Sequence, residues 1–318
     1  NLSGGLFLEI VRKEYSYPSV TGEADIFARS WAPADGKIKA VVQGVHGMAE
    51  FGERYEEFAA ALCNAGFAFI MNDHIGHGKS VAPDGVKGYF GGEKNAFGKG
   101  FVDDVHQLTL IAKDEFKKPV IIFGHSMGSF VTRSYITKYS DDISAAVICG
   151  TSGKNPGTGA GIVIADLISK VKGEKHPSKL IDKIAFGTYN KRTEGRTPFD
   201  WLSRNIENVD WYIANDDCGF LFTASGYKNM FELLDSVSSD GWYRKVPKDL
   251  KIFLIAGAED PVGAYSKGVK EVFEKLKETG HNNVTCKLYK DDRHEILNEL
   301  DREHVYDDVI GFCDSVIK

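Results

Sequence analysis

Short runs of apolar residues, bounded by turn-forming residues, recur along the first half of the chain. The runs occupy residues 40–45, 68–72, 120–123 and 145–149. Runs of this length and composition are typical of strands that are buried on both faces of a parallel sheet. Helix-length segments lie between them, at residues 55–65, 101–116 and 129–139. This alternation predicts an α/β fold with a mostly parallel central sheet flanked by helices.

The alternation stops at Gly150 and is interrupted for many residues before it returns. Residues 151–243 are rich in turn residues and aromatics, with a candidate helix at 161–171. Strand signals then return, with helical segments between and after them, at residues 251–256, 265–279, 284–289 and 302–316. We therefore predict a core formed by residues 1–150 and 244–318, with a mainly helical cap, or lid, inserted at 151–243.

The composition narrows the class of protein. The 318-residue chain is 42% hydrophobic and 26% charged, which is typical of a globular protein. Its net charge of −6 and its lack of a basic run argue against a nucleic-acid partner, because nucleic-acid binding needs clustered Lys and Arg. No apolar stretch approaches the roughly 20 residues that are needed to cross a bilayer. The sequence therefore favours a globular protein with a large buried core.

The cysteines and the first residues bear on the compartment. Five cysteines are widely spaced without a C-x-x-C pair, which predicts reduced thiols and a cytoplasmic location. Residues 1–10 lack a cationic segment and carry Glu9 inside their short apolar stretch, so no signal peptide is predicted.

The first residues with recognisable chemistry follow the third apolar run. The strand at 120–123 leads directly into Gly124-His125-Ser126-Met127-Gly128, and a helical segment follows. The order of strand, G-x-S-x-G turn and helix is typical of a nucleophile elbow, in which a sharp turn projects a serine hydroxyl from the sheet edge. Glycines on both sides allow neighbouring backbone to approach closely. We therefore predict that Ser126 is a nucleophile rather than part of an ordinary turn.

A serine nucleophile needs a base to take its proton and a carboxylate to orient that base. Behind an elbow of this kind, the chain order is serine, acid, histidine. His294 follows the last predicted strand and Asp260 follows the strand before it; the carboxyl ends of such strands are where open α/β sheets place their sites. Glu259 is the competing acid. We prefer Asp260, because a shorter side chain beside Pro261 suits a rigid orienting role.

Acyl transfer through a serine also needs two backbone N–H donors for the oxyanion. Met127, at the start of the helix, supplies one, and we expect the second from Met48 in the loop after the first apolar run. We expect His46 to brace that loop. The histidines of residues 73–78 lack any H-E-x-x-H or Cys/His partner set. Neither a metal nor another cofactor is therefore expected.

Five segments together resemble the monoacylglycerol lipase and lysophospholipase branch of the α/β-hydrolase superfamily. They are residues 46–50 with Arg54-Tyr55, 73–80, 124–128, 260–263 and 293–299. The resemblance implies the α/β-hydrolase fold, a lid after the sixth strand, and a triad of Ser126, Asp260 and His294. It also implies an oxyanion hole formed by the backbone N–H groups of Met48 and Met127.

The resemblance further implies a serine esterase for esters with an apolar acyl group, most of all monoacylglycerols or lysophospholipids. A general carboxylesterase for short or aromatic acyl esters is the alternative; a peptidase and a non-catalytic ligand-binding scaffold are weaker ones. Two positions depart from the family pattern. Ala49 stands where glycine is frequent and Phe51 where histidine is frequent. Both neighbour the oxyanion loop, so they bear on the shape of the acyl pocket.

The candidate lid helix at 161–171 carries an apolar face. Ile164, Ile168 and Val171 share that face, with Val163 and Leu167 alongside. Two interpretations stay open: the face packs onto the core, or part of it stays exposed and accepts acyl chains or contacts a membrane surface. Nearby lysines make the stretch basic, at Lys170, Lys172, Lys175, Lys179 and Lys183.

Overall fold

Eight strands form one central sheet in the computed structural model, which describes residues 9–317. In chain order they are β1 (Ile10–Pro18), β2 (Asp25–Pro33), β3 (Val41–Val45), β4 (Ala68–Asn72), β5 (Val120–His125), β6 (Ala145–Cys149), β7 (Lys251–Gly257) and β8 (Val284–Tyr289). Their order across the sheet is β1-β2-β4-β3-β5-β6-β7-β8. Strands β3 to β8 pair in parallel, whereas β2 pairs antiparallel with both β1 and β4. The predicted mostly parallel sheet is confirmed.

Within residues 9–317, ten α-helices surround or follow these strands. They are α1 (Glu56–Asn64), α2 (Lys99–Phe116), α3 (Met127–Tyr135), α4 (Thr158–Lys172), α5 (Lys179–Phe186), α6 (Ile206–Ala214), α7 (Ala224–Val237), α8 (Asp240–Lys245), α9 (Lys267–Glu278) and α10 (Arg302–Val316). Helices α1 and α10 bury residues such as Phe58 and Val309 against one face of the sheet. Helices α2, α3 and α9 bury Val105, Val131 and Val272 against the other. The sheet is therefore covered on both faces, as its continuous apolar strands require.

The antiparallel strands β1 and β2 were not predicted from the sequence. Strand β1 lies at the edge of the sheet and exposes a run of charged residues from Arg12 to Glu14. Strand β2 interrupts its apolar positions with Arg29 and Ser30, both of which are buried. Neither strand forms a continuous apolar run, so the pattern that marks β3 to β7 does not mark these two.

Five helices, α4 to α8, lie between β6 and β7, where the sequence changes character. The candidate helix at 161–171 extends in the structure over the full length of α4. Its Ala165 is buried, and Ile164 and Ile168 pack against the main apolar cluster. Val163, Leu167 and Val171 are 58%, 56% and 81% exposed. Helix α4 therefore packs with one side and leaves an apolar strip in solvent. The division into core and cap at 151–243 stays a prediction.

Two further features of the described chain concern cysteines and hydropathy. All five cysteines are free, and four of them are buried. Within residues 9–317, no helix is long and apolar enough to cross a membrane. Most of the segment tested for a signal peptide, residues 1–8, lies outside the described residues.

Candidate active site

Ser126 occupies the sharp turn between β5 and α3. Its backbone has φ 55° and ψ −122°, a conformation that costs free energy for a residue with a side chain and that is typical of functional turns. The backbone N–H of Ser126 donates to the carbonyl of Cys149 in the neighbouring strand at 3.0 Å. A side chain on Gly128 would collide with the carbonyl of Val45. The close packing of three strand ends therefore holds the turn in place and requires glycine beside the serine.

His294 and Asp260 meet at the carboxyl ends of β8 and β7. The Nδ1 atom of His294 lies 2.9 Å from Oδ2 of Asp260, and both residues are almost fully buried. The second carboxylate oxygen of Asp260 accepts a hydrogen bond from the N–H of Val262 at 2.8 Å. Glu259 points away and lies 3.5 Å from Arg192 in a half-exposed ion pair. The structure therefore brings Asp260, and not Glu259, to the histidine.

Ser126 and His294 line one cavity, together with Met48 and Met127. Within the described residues 9–317, no hydrogen bond joins the side chains of Ser126 and His294; such bonds are often long before substrate is bound. The His294 ring rests on Gly150, where a Cβ atom would lie 3.2 Å from Cε1. Four of the five predicted site residues therefore line one cavity, and Asp260 lies behind His294, to which it is hydrogen-bonded.

The loop that carries Met48 is held from beneath by a carboxylate. The N–H of Gly47 donates to Oε1 of Glu50 at 2.6 Å, and a Cβ atom on Gly47 would lie 3.0 Å from Cβ of Ser126. Position 47 therefore needs glycine so that the loop can approach the elbow. Met127 begins α3 directly after Ser126, where helix N–H groups are free and the helix dipole favours negative charge.

A buried charge network that sequence reasoning missed lies behind this loop. Arg54 contacts Glu50 at 2.6 Å and Glu295 at 2.8 Å, and all three side chains are almost fully buried. Burial alone would raise the pKa values of both carboxyls, but Arg54, and for Glu50 also His125, hold them below their usual range. The sequence shows Arg54-Tyr55 close to the Met48 loop, but the two carboxylates that Arg54 contacts, Glu50 and Glu295, lie far apart along the chain.

His125, directly before Ser126, belongs to the same network. Its Nδ1 atom lies 3.3 Å from Oε1 of Glu50 and 3.2 Å from the hydroxyl of Tyr55. Its Nε2 atom lies 3.2 Å from the backbone carbonyl of His294. Burial opposes protonation, but the hydrogen bond and charge of Glu50 prevail and raise the pKa of His125. His125 therefore links the turn at Ser126 to the loop that carries Met48 and to the His294 loop.

Three more buried histidines lie close by. His46 accepts a hydrogen bond at Nε2 from the N–H of His74 at 2.8 Å, and its Nδ1 lies 2.8 Å from the carbonyl of Gly47. The ring centroids of His46 and His74 are 4.3 Å apart, and those of His46 and His77 are 5.1 Å apart. Burial lowers the pKa values of all three. His46 thus braces the loop. No group in the described part of the chain is arranged to hold a metal ion.

The cavity above Ser126 has a volume of about 410 Å³. Its walls are mostly apolar, and most of the lining residues come from the β6–β7 segment, in helices α4 to α7 and the loops between them, with Phe130 contributed by α3. Trp201 of the β6–β7 segment lies with its ring 5.2 Å from that of His294. Ser126, His125 and Glu50 are among the few polar lining residues. A mostly apolar cavity with a few polar groups is typical of sites for small organic ligands.

The eight-stranded sheet, the strained serine turn after β5 and the His–Asp pair at the ends of β8 and β7 define an α/β-hydrolase. The chain belongs to the family described as serine aminopeptidase, S33, whose model matches residues 36–301. It is 28% identical to the monoglyceride lipase of Mus musculus over 279 residues, which cover 86% of this chain and 81% of the mouse protein. It is 26% identical to the monoacylglycerol lipase of Mycolicibacterium smegmatis over 310 residues, 96% of this chain and 98% of that protein.

A solved structure agrees with these relatives. A thermostable carboxyl esterase from Bacillus coagulans, in complex with glycerol, superposes with a TM-score of 0.90 at 29% identity and covers 96% of this chain and 99% of its own. The predicted resemblance to the monoacylglycerol lipase branch of the α/β-hydrolases is confirmed by the family match and by both lipases.

Proposed function

We propose that this protein hydrolyses carboxylic esters with a long apolar acyl group, monoacylglycerols or lysophospholipids, through an acyl-enzyme on Ser126. The observation that carries the proposal is the apolar cavity of about 410 Å³ that ends at Ser126 and the His294–Asp260 pair. Two monoacylglycerol lipases and a carboxyl esterase among its relatives support the same class of reaction. The enzyme is a carboxylic ester hydrolase.

The proposed mechanism uses the same groups in both half-reactions, with His294 acting first as base and then as acid in each. Nε2 of His294 takes the proton of Ser126 as the hydroxyl attacks the ester carbonyl, while Asp260 holds Nδ1–H and stabilises the imidazolium. The N–H groups of Met48 and Met127 bind the oxyanion; loss of one such donor typically costs about 3 kcal/mol in the barrier. The alcohol leaves with the proton from His294. Water then attacks the acyl-enzyme by the same route and releases the acid.

The walls of the cavity favour an acyl chain over a peptide. It is lined by apolar side chains of α4, α5 and α7, among them Ile164, Ile181 and Phe231. Burial of each methylene against such a surface contributes about 0.8 kcal/mol. Of the carboxylates that line it, Glu50 and Glu295 are already paired with Arg54, and Asp182 accepts a hydrogen bond from the Tyr227 hydroxyl at 2.9 Å. They are therefore poorly placed to bind the amino group that an aminopeptidase substrate would present.

The exposed apolar strip of α4 supports the proposal that the enzyme docks on a lipid surface. Leu180 of the neighbouring helix α5 is also exposed, and so are Val163, Leu167 and Val171. Lysines flank both helices, and such side chains are attracted to anionic headgroups. A substrate that resides in membranes or micelles would then enter the cavity, whose rim includes Ile184 of α5. The cytoplasmic location stays a prediction.

The acyl-chain profile tests the proposed substrate class. Rates of hydrolysis are measured for monoacylglycerols and for p-nitrophenyl esters with acyl chains from acetyl to palmitoyl, and for an amino-acid p-nitroanilide. We expect kcat/KM to rise from acetyl to at least octanoyl, because longer chains fill more of the apolar compartment. A preference for acetyl would support the general carboxylesterase instead, and faster cleavage of the anilide would support a peptidase.

A further inference from the structure

The residue after Met48 has an unfavourable backbone conformation. Ala49 has φ 50°, in the left-handed region, which costs roughly 1–2 kcal/mol for a residue with a Cβ atom. Ala49 is almost fully buried, and its carbonyl belongs to the second peptide group after the one that carries the Met48 N–H. A residue in this conformation persists only where its surroundings hold it.

Two groups from the β6–β7 segment hold Ala49. The hydroxyl of Tyr212, on α6, donates to the carbonyl oxygen of Ala49 at 3.0 Å. The backbone N–H of Gly219 donates to the same oxygen, also at 3.0 Å. Both lone pairs of that carbonyl are therefore used, and both partners lie outside the loop and outside the sheet. On its other side the loop is fixed by Glu50 through Gly47.

Helix α6 is itself fixed on the buried charge network. Asn208 donates from Nδ2 to Glu295 at 2.7 Å and accepts from Arg54 at 3.3 Å. The guanidinium of Arg54 lies 5.0 Å from the centre of the Tyr212 ring. The ring of Tyr212 thus has one defined position, and its hydroxyl is aimed at Ala49. The contacts form a continuous path from α6 to the proposed oxyanion hole.

We propose that Tyr212 is a positioning residue for catalysis, which keeps Ala49 in its left-handed conformation and thereby aims the Met48 N–H at the oxyanion. The inference rests on the proposed function, because it takes Met48 as an oxyanion donor. It gives α6 a role beyond lining the cavity: displacement of this helix withdraws the Tyr212 hydrogen bond from the loop and lowers the rate of the chemical step. Substrate affinity is set elsewhere, by the apolar walls.

Tyr212→Phe tests the inference, because it removes the hydroxyl and keeps the ring. Rates are normalised to active sites titrated with a fluorophosphonate, so that incomplete folding does not alter them. We expect kcat for p-nitrophenyl octanoate to fall about tenfold, part of the 10²–10³-fold that loss of a whole donor costs. We expect KM to stay within about twofold, since no apolar contact is lost. The affinity of a trifluoromethyl ketone inhibitor should fall in parallel with kcat.

Tyr17→Phe is the matched control. The hydroxyl of Tyr17 also donates to a backbone carbonyl, that of Asp104, at 3.0 Å, and the residue is buried on β1 away from the cavity. Its kcat should match the wild type. Ala49→Gly supplies the second variant: glycine adopts a positive φ without the cost of a Cβ atom, so Ala49→Gly should restore much of the kcat lost in Tyr212→Phe.

The outcomes separate the inference from the proposed function. A tenfold loss of kcat with rescue by Ala49→Gly supports the inference. A kcat for Tyr212→Phe equal to that of Tyr17→Phe, or a change in KM alone, overturns it while the proposed function stands. A folded wild type that hydrolyses none of the esters overturns both.

Discussion

At the residue scale, the contacts of Asp260 and Glu259 show which of the two adjacent acids is placed to orient His294. Asp260 contacts His294 and Glu259 contacts Arg192. We predict that Asp260→Asn lowers kcat by about 10³–10⁴-fold, because an amide no longer stabilises the required tautomer and charge of the imidazole. Glu259→Gln, which breaks only a half-exposed ion pair, should stay within about twofold. Steady-state kinetics on one ester measure both variants; equal losses would contradict the assignment.

Arg54 pairs with two buried carboxylates beside the site. Arg54→Met leaves the buried carboxylates of Glu50 and Glu295 without their cation, so we predict a loss of about 3–5 kcal/mol in the free energy of unfolding. Lys94 pairs with Glu23 on the surface at 3.1 Å, and Lys94→Met should cost at most about 1 kcal/mol. Urea unfolding of both variants gives the comparison. Similar values would show that the buried network contributes no more than a surface pair.

Whether a feature of the site could be predicted from the sequence depended on how far apart the interacting residues lie along the chain. Ser126, Asp260 and His294 could each be predicted, because each directly follows an apolar strand whose end is visible in the sequence. The pairing of Arg54 with Glu295 could not be predicted, because 241 residues separate them and nothing in the two segments that contain them indicates a contact. The hydrogen bond from Tyr212 to Ala49 could not be predicted for the same reason. The alanine at position 49, where the family frequently has glycine, was visible in the sequence.

At the scale of elements, six parallel strands were predictable and two antiparallel strands were not. Strands β3 to β7 are buried and have nearly continuous apolar runs, which few other elements show, whereas β8 lies at an edge and alternates buried with more exposed positions. Strands β1 and β2 lie at the sheet edge and next to it, and their polar residues find partners that only the fold supplies, as Arg29 does with Asp73. The helix at 161–171 was predictable, but the side on which it is exposed was not, because apolar residues occupy most of its circumference.

The exposed apolar side of α4 leads to a prediction about binding to membranes. We predict that Leu167→Glu weakens binding to anionic phospholipid vesicles by about tenfold, because burial of one leucine contributes about 1.5–3 kcal/mol. Val11 is similarly exposed, at 53%, but lies on β1, and Val11→Glu should bind as the wild type does. Vesicle flotation measures all three proteins. Equal binding of the two variants, or no binding by the wild type, would contradict the lipid-docking proposal.

At the scale of the whole molecule, the buried histidines couple stability to pH. His46, His74 and His77 have pKa values below their usual range because they are buried. The unfolded chain, with histidine pKa values near 6.5, therefore binds protons that the folded protein excludes. Their contribution is fully present above about pH 6.5 and is lost progressively as the pH falls below that value.

His74→Phe tests this coupling. The variant removes one histidine that gains a proton more readily in the unfolded chain than in the folded protein. Its free energy of unfolding should therefore fall less between pH 7 and pH 5 than that of the wild type. His304 is exposed on α10, and His304→Gln should follow the wild-type curve. Urea unfolding at both pH values supplies the data. A pH dependence shared by the wild type and His74→Phe would contradict the role of the cluster.

The proposed mechanism depends on one nucleophile, Ser126. Its most direct test is reaction of the folded protein with a fluorophosphonate probe, followed by intact-mass measurement and mapping of the labelled peptide. We predict a single label on Ser126, its loss in Ser126→Ala, and much slower labelling in His294→Ala because the base is missing. A folded wild-type protein that is not labelled, or is labelled at another residue, would contradict the account.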